Sequence, residues 1–223
     1  MTRDPWLSEV MGHAVWSVEG PGEEIPAGWA MCQARVPAED VATARALCAE
    51  GFYPVDMALT LSRGSEAGPQ PALPVRAAVP ADRDAVGGVS ERAMTTSRFS
   101  LDPQIPSATA GRVKREWAVN CVAGSRGIGV TVVERGGEIA GFLAVVASGR
   151  RRVIDLVAVD EPFRGQGVGR ALVADFVRRH GAGSGGLSVA TQAGNAPSLA
   201  LYEALGFRVS EAAWVLHRHT GAP

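Results

Sequence analysis

The residues best suited to chemistry form one short stretch, Arg164-Gly165-Gln166-Gly167-Val168-Gly169. An apolar run, Val153-Ile154-Asp155-Leu156-Val157-Ala158-Val159, precedes it and reads as a strand. Val168, Ala171, Leu172, Ala174, Phe176 and Val177 follow at helical spacing, up to the glycines that begin at Gly181. A glycine-rich turn between strand and helix lets the backbone approach a ligand closely. The first amides of the new helix lack partners within it, and the macrodipole adds positive potential there. Such a turn suits a phosphate or pyrophosphate; the alternative is a purely structural turn. Two other phosphate loops are excluded. A P-loop ends Gly-Lys-Ser/Thr, whereas Gly169 is followed by Arg170 and Ala171. A dinucleotide fingerprint spaces its glycines Gly-x-Gly-x-x-Gly and places an acid on the next strand; here the glycines alternate, and Leu187 to Thr191 holds no acid.

Three further side chains allow two readings each. Asp155 lies two residues before Val157, so its side chain shares that face of the strand; it is either a proton acceptor or an ion-pair partner of Arg152 or of a neighbouring strand. Tyr202 is either a helix tyrosine packed on the sheet or a phenol that donates a proton near neutral pH. Asn195 is a helix N-cap, a ligand contact, or both. His13, His180, His217 and His219 belong to no motif.

The elements that must position these residues follow from the pattern along the chain. Residues 1–63 form a first unit: a turn-broken apolar stretch from Trp6 to Val18, a strand at Trp29 to Val36, a helix at Glu39 to Glu50 closed by Gly51, and a half-buried strand at Val55 to Leu61. Residues 64–74 make a Pro/Gly-rich linker. Residues 75–223 form the second unit. It opens with a strand at Val75 to Val79 and a helix at Ala81 to Arg92, and Thr96 to Pro103 is too turn-rich for a regular element. A helix from Pro106 to Val122 follows, then a hairpin across Arg135-Gly136-Gly137, the strand and helix around the glycine turn, a strand at Leu187, a helix from Ala196 to Leu205, and a closing strand from Phe207 to His217.

Composition bounds the function. The 223 residues are 46% hydrophobic and 20% charged, with a net charge of −1, as in an ordinary globular protein. That balance gives no support for nucleic-acid binding or a basic membrane-surface patch, and no apolar run reaches a bilayer span. Three scattered cysteines, Cys32, Cys48 and Cys121, have no metal-ligand spacing and read as reduced thiols in a cytoplasmic protein.

Arg164, Gly167 and Gly169 match the Arg/Gln-x-x-Gly-x-Gly/Ala loop of the GNAT acyltransferase superfamily, and Asn195, Leu201-Tyr202 and Leu205-Gly206-Phe207 match its Asn…Leu-Tyr…Leu-Gly-Phe segment. The resemblance covers about residues 75 to 219. It implies an α/β fold with a mixed, mostly antiparallel central sheet flanked by helices, and acetyl-CoA as co-substrate without a metal. It also implies a pyrophosphate cradle at Arg164, Gly165, Gln166, Gly167, Val168, Gly169 and Arg170. By the same resemblance Val157, Ala158 and Val159 pair through their main chain with pantetheine, and the Val157 amide is the oxyanion donor. Asn195 contacts the pantetheine arm, and Tyr202 protonates the leaving thiolate. Asp155 is the candidate base.

Pro5-Trp6-Leu7-Ser8, Arg98-Phe99 with Asp102-Pro103 and Trp117, and Val189-Ala190-Thr191-Gln192-Ala193-Gly194-Asn195 resemble bacterial dTDP-fucosamine N-acetyltransferases. This finer resemblance implies transfer of acetyl to the amine of a nucleotide-linked amino-deoxy sugar. Arg98, Phe99, Asp102, Trp117 and Gln192 become substrate-contact candidates. A different small amine, an amino acid, an antibiotic or a protein N-terminus is the rival acceptor, and a non-catalytic acyl-CoA-binding module the rival class. A homodimer is left open.

Overall fold

The computed structural model describes residues 1–25 and 27–221. Ten strands form one sheet. They are β1 (Thr2–Arg3), β2 (Ala14–Val18), β3 (Ala30–Pro37), β4 (Tyr53–Arg63), β5 (Arg76–Ala77), β6 (Gly129–Arg135), β7 (Glu138–Ser148), β8 (Arg151–Val159), β9 (Leu187–Gln192) and β10 (Arg208–Thr220). Their order is β1-β2-β3-β10-β4-β9-β8-β7-β6-β5. Among the described residues only β2 with β3 and β8 with β9 pair in parallel, so the sheet is mixed and mostly antiparallel.

Seven helices cover the sheet: α1 (Pro5–Met11), α2 (Val41–Ala49), α3 (Arg83–Ala93), α4 (Arg98–Leu101), α5 (Ser107–Val122), α6 (Val168–His180) and α7 (Ala196–Ala204). Helices α6 and α7 pack one face, where Val168, Leu172, Phe176, Tyr202 and Phe207 meet Leu61, Leu143 and Val189. Helices α3 and α5 pack the other, with Val86, Val89 and Ala118 against Phe142 and Leu156. Each large side chain buried this way contributes about 1.5–3 kcal/mol, and α6 alone buries Val168, Leu172, Val173, Phe176 and Val177.

The sheet crosses the expected linker. Residues 64–74 carry no helix or strand, yet β4 before them lies between β10 and β9 from after them. The alternating pattern at 55–61 shows a strand but cannot show which neighbours it pairs with, because those lie more than a hundred residues away. The turn-rich stretch at 96–103 does contain a regular element. Ser97 accepts from the Ser100 amide and caps the single turn of α4. The expected strand at Val75 to Val79 shortens to Arg76–Ala77, and a 3-10 turn opens three residues on at Pro80. No helix among the described residues is long and apolar enough to cross a membrane.

Candidate active site

The site begins at an irregularity in β8. Ala144 faces Leu156 and Val145 faces Ile154, so Asp155 has no partner on β7 and forms a β-bulge. A bulge bends and twists its strand. Here the pairing of β8 with β9 covers only Arg152 to Ile154 and stops at the bulge. From Asp155 onward the β9-facing edge of β8 has no strand partner among the described residues, and Val157, Ala158 and Val159 lie on it.

The bulge also corrects the expectation that Asp155 and Val157 share a face. An extra residue breaks the two-residue alternation of a strand. Val157 packs with the α6 side, whereas Asp155 reaches α5 on the opposite side. There its Oδ2 accepts from Trp117 Nε1 at 2.8 Å and Arg126 Nε at 2.6 Å, and its Oδ1 accepts from Arg126 Nη2 at 2.8 Å. Of the two readings of Asp155, the ion pair is the one observed. Its partner is Arg126, while Arg152 donates only to the carbonyls of Gly149 and Arg151. A carboxylate held by three donors is poorly placed to accept another proton. Asp155→Asn should therefore lower kcat by no more than about tenfold, the scale of one ordinary hydrogen bond. A hundredfold loss in kcat would restore Asp155 as the base.

Beyond the parted edge, β8 leads to the glycine turn. Gly165 and Gly167 have φ of 74° and 80°, and a Cβ at either would meet open space. Gly167 caps α6, and no side chain satisfies the first amides of this 13-residue helix. Gly169 behaves differently. Its φ is ordinary, and a Cβ there would touch Leu201 and Val159 at 3.4 and 3.5 Å, so it serves close packing of α6. Arg164 Nε reaches the Val159 carbonyl at 3.4 Å, and Gln166 Nε2 donates to the Pro162 carbonyl at 2.8 Å. Both side chains brace the turn. Arg170 extends from the first turn of α6.

Tyr202, on α7, is 2% exposed and sits edge-on to Phe207 with ring centroids 6.0 Å apart. Its phenol makes no hydrogen bond among the described residues, and burial raises its pKa well above the usual value. Asn195 caps α7 through the Ser198 amide at 3.4 Å and donates to Thr191 Oγ1 at 3.2 Å.

The other predicted contacts divide. Trp117 donates to Asp155, Arg98 lies over the Phe99 ring, and Gln192 ends β9 half-buried. Phe99 is a core side chain, 1% exposed, with the Arg98 guanidinium over its ring at 4.5 Å. Asp102 is not free to meet a substrate. Its Oδ1 accepts from Tyr53 Oη at 2.7 Å and the Gln104 amide at 2.9 Å, and its Oδ2 from His217 Nδ1 at 2.6 Å and His219 Nε2 at 2.9 Å. Burial alone would raise this carboxyl, but the two histidines, the Gln104 amide and Tyr53 outweigh it and hold its pKa far below the usual range. Sequence motifs offered no reason to join these residues, since they come from β4, the turn after α4, and β10.

The sequence profile of the Acetyltransferase (GNAT) family matches residues 96–207, just over half of the chain. The chain belongs to this family. The match contains the parted β8 edge, the glycine turn, α6 and Tyr202. Among curated proteins, the chain is 26% identical over 143 residues to the spore coat polysaccharide biosynthesis protein SpsD of Bacillus subtilis (strain 168), which covers 62% of this chain and 48% of that protein. The chain thus spans about half the length of this relative. Among solved structures, it resembles a GCN5-related N-acetyltransferase from Sphaerobacter thermophilus at a TM-score of 0.62 and 19% identity, over 87% of this chain and 62% of that one. It also resembles a functionally unknown conserved protein from Staphylococcus epidermidis at 0.64 and 14%, over 85% and 73%. These likenesses bear out the GNAT fold.

Proposed function

We propose that this GNAT protein is an acetyl-CoA-dependent N-acetyltransferase whose acceptor is the amine of a nucleotide-linked amino-deoxy sugar. The observation that carries the reading is the continuity of two features: a β8 edge without a strand partner among the described residues leads into a helix N-terminus whose amides no side chain caps, behind two left-handed glycines. The first suits the amides of a pantetheine arm, and the second a pyrophosphate. Acetyl-CoA supplies an activated thioester. The chain's own residues orient it through the Val157 to Val159 main chain, offer the Val157 amide where negative charge develops, and hold the Tyr202 phenol as proton donor. The likeness to SpsD, named for spore coat polysaccharide biosynthesis, supports a sugar acceptor.

In this proposal residues 75–223 carry the acetyltransferase unit, residues 64–74 link it to the first unit, and residues 1–63 complete its sheet through β4. The setting is cytoplasmic, where acetyl-CoA and nucleotide sugars are met. The deciding experiment measures thiol release with a panel of amines. Turnover of a dTDP-linked amino sugar is expected; turnover of a peptide amine with none on any sugar nucleotide would end the reading.

Gly167→Val tests the cradle. A β-branched residue at φ 80° costs about 1–2 kcal/mol in strain. The KM for acetyl-CoA should therefore rise about tenfold or more, read from initial rates at saturating acceptor. An unchanged KM would show that this turn does not hold the coenzyme.

A further inference from the structure

Two cations, Lys114 and Arg98, make no ion pair among the described residues, although Asp155 acts on Lys114, and Asp4 and Asp56 on Arg98, at longer range. Lys114, on α5, is 8% exposed, and its ammonium makes neither a hydrogen bond nor an ion pair among the described residues. Its ammonium lies 4.7 Å from the Trp117 ring centre and 5.5 Å from that of Phe99. Arg98 shares the Phe99 ring, and its Nε is buried without a partner. Ring faces return only part of what a cation loses on leaving water. Desolvation, with Arg98 and Arg126 adding to it against Asp155, pushes Lys114 down to about 7. Desolvation likewise brings Arg98 down to about 10, with Arg35 adding to it and Asp4 and Asp56 opposing.

The neighbouring sheet face is open. A cavity of about 520 Å³ is lined by Arg35, Glu39, Thr60, Glu211 and Ala213, among others; Arg98 and Lys114 stand outside its lining. Strand register carries this floor toward β9: Ala213 faces Ala58, Ala58 faces Gln192, and Thr60 faces Ala190. Small side chains leave room above β10, β4 and β9, and Arg35, Asp56 and Arg98 are within electrostatic reach of one another. Arg126 is already neutralised by Asp155. The unspent charge therefore belongs to Arg98 and Lys114, with Arg35 along the groove, and Asp4, Asp56, Glu39 and Glu211 as the opposing carboxylates.

We propose that Arg98 and Lys114 form an anion subsite for a diphosphate carried by the acceptor, on a groove whose floor is built partly by residues 1–63. This rests on the sugar-nucleotide reading and adds its recognition element. The subsite favours an acceptor with a phosphate some distance from its amine over a neutral amine. A bound dianion also keeps Lys114 protonated, so binding takes up protons as pH rises past neutrality.

The test uses the full chain saturated with coenzyme A, so that the glycine turn is occupied, and thymidine diphosphate as the probe in calorimetry. Lys114→Met should weaken diphosphate binding at least tenfold and abolish the proton uptake. Lys114→Arg should restore affinity to within about threefold. Coenzyme A affinity and the melting temperature report an intact fold. No diphosphate binding by the wild-type protein, or equal binding by Lys114→Met, would overturn the subsite. Should diphosphate bind as expected while no amino-sugar nucleotide is acetylated, the subsite stands and the proposed acceptor falls.

Discussion

Tyr202→Phe is expected to lower kcat by about a hundredfold or more, while acetyl-CoA affinity changes by less than about threefold. The change removes one oxygen and keeps the ring that packs against Phe207 and the α6 core. That oxygen makes no hydrogen bond among the described residues, so the fold loses little with it. Burial raises the pKa of the phenol, which keeps the proton in place throughout the neutral range. A group so held has a proton to give when a thiolate leaves, and that interaction is made only on the way to the transition state. Single-turnover rates alongside equilibrium binding of acetyl-CoA separate the two effects. Small and equal losses in rate and affinity would make Tyr202 a packing residue and favour the non-catalytic acyl-CoA-binding reading.

Asp102→Ala should cost about 3–5 kcal/mol of stability, since removing a buried charged partner leaves its donors unsatisfied. His217 is fully buried, and its Nε2 already has no partner; losing Asp102 leaves Nδ1 without one as well. Tyr53 and the Gln104 amide lose an acceptor in the same step. The network joins β4, the turn after α4, and β10, so the damage falls on the seam between early and late parts of the chain. In a protein of this size the melting temperature should drop by about 10 °C, measured by calorimetry. A fall under about 2 °C would show that the network contributes little.

The pH dependence has a definite sign. The Asp102 pKa is depressed in the fold, so its contribution is present above the unfolded value of about 4 and is lost as pH falls further. Burial also depresses the His217 pKa, chiefly by desolvation against the pull of Asp102. His217 therefore weakens the fold as pH drops through its unfolded value near 6.5. Wild-type stability should decline on acidification in both ranges, and Asp102→Ala should flatten the lower one.

Much of this protein is local and could be read from one strand, one turn and one helix at a time. The alternating glycines, the apolar periodicity of α6 and the Asn195 to Phe207 segment each act within about a dozen residues, where spacing alone fixes geometry. Tertiary structure decided what depends on distant partners. The bulge at Asp155 appears only once β8 pairs with β7, and it reverses the facing that simple alternation implies. The place of β4 between β9 and β10 was hidden because a strand's pattern records which face is buried and says nothing of its neighbours. Asp102 looked like a loop residue available to substrate until two histidines more than a hundred residues away filled its oxygens. Lys114, unremarkable on an amphipathic helix, became notable only when folding set it among aromatic rings without a counter-ion.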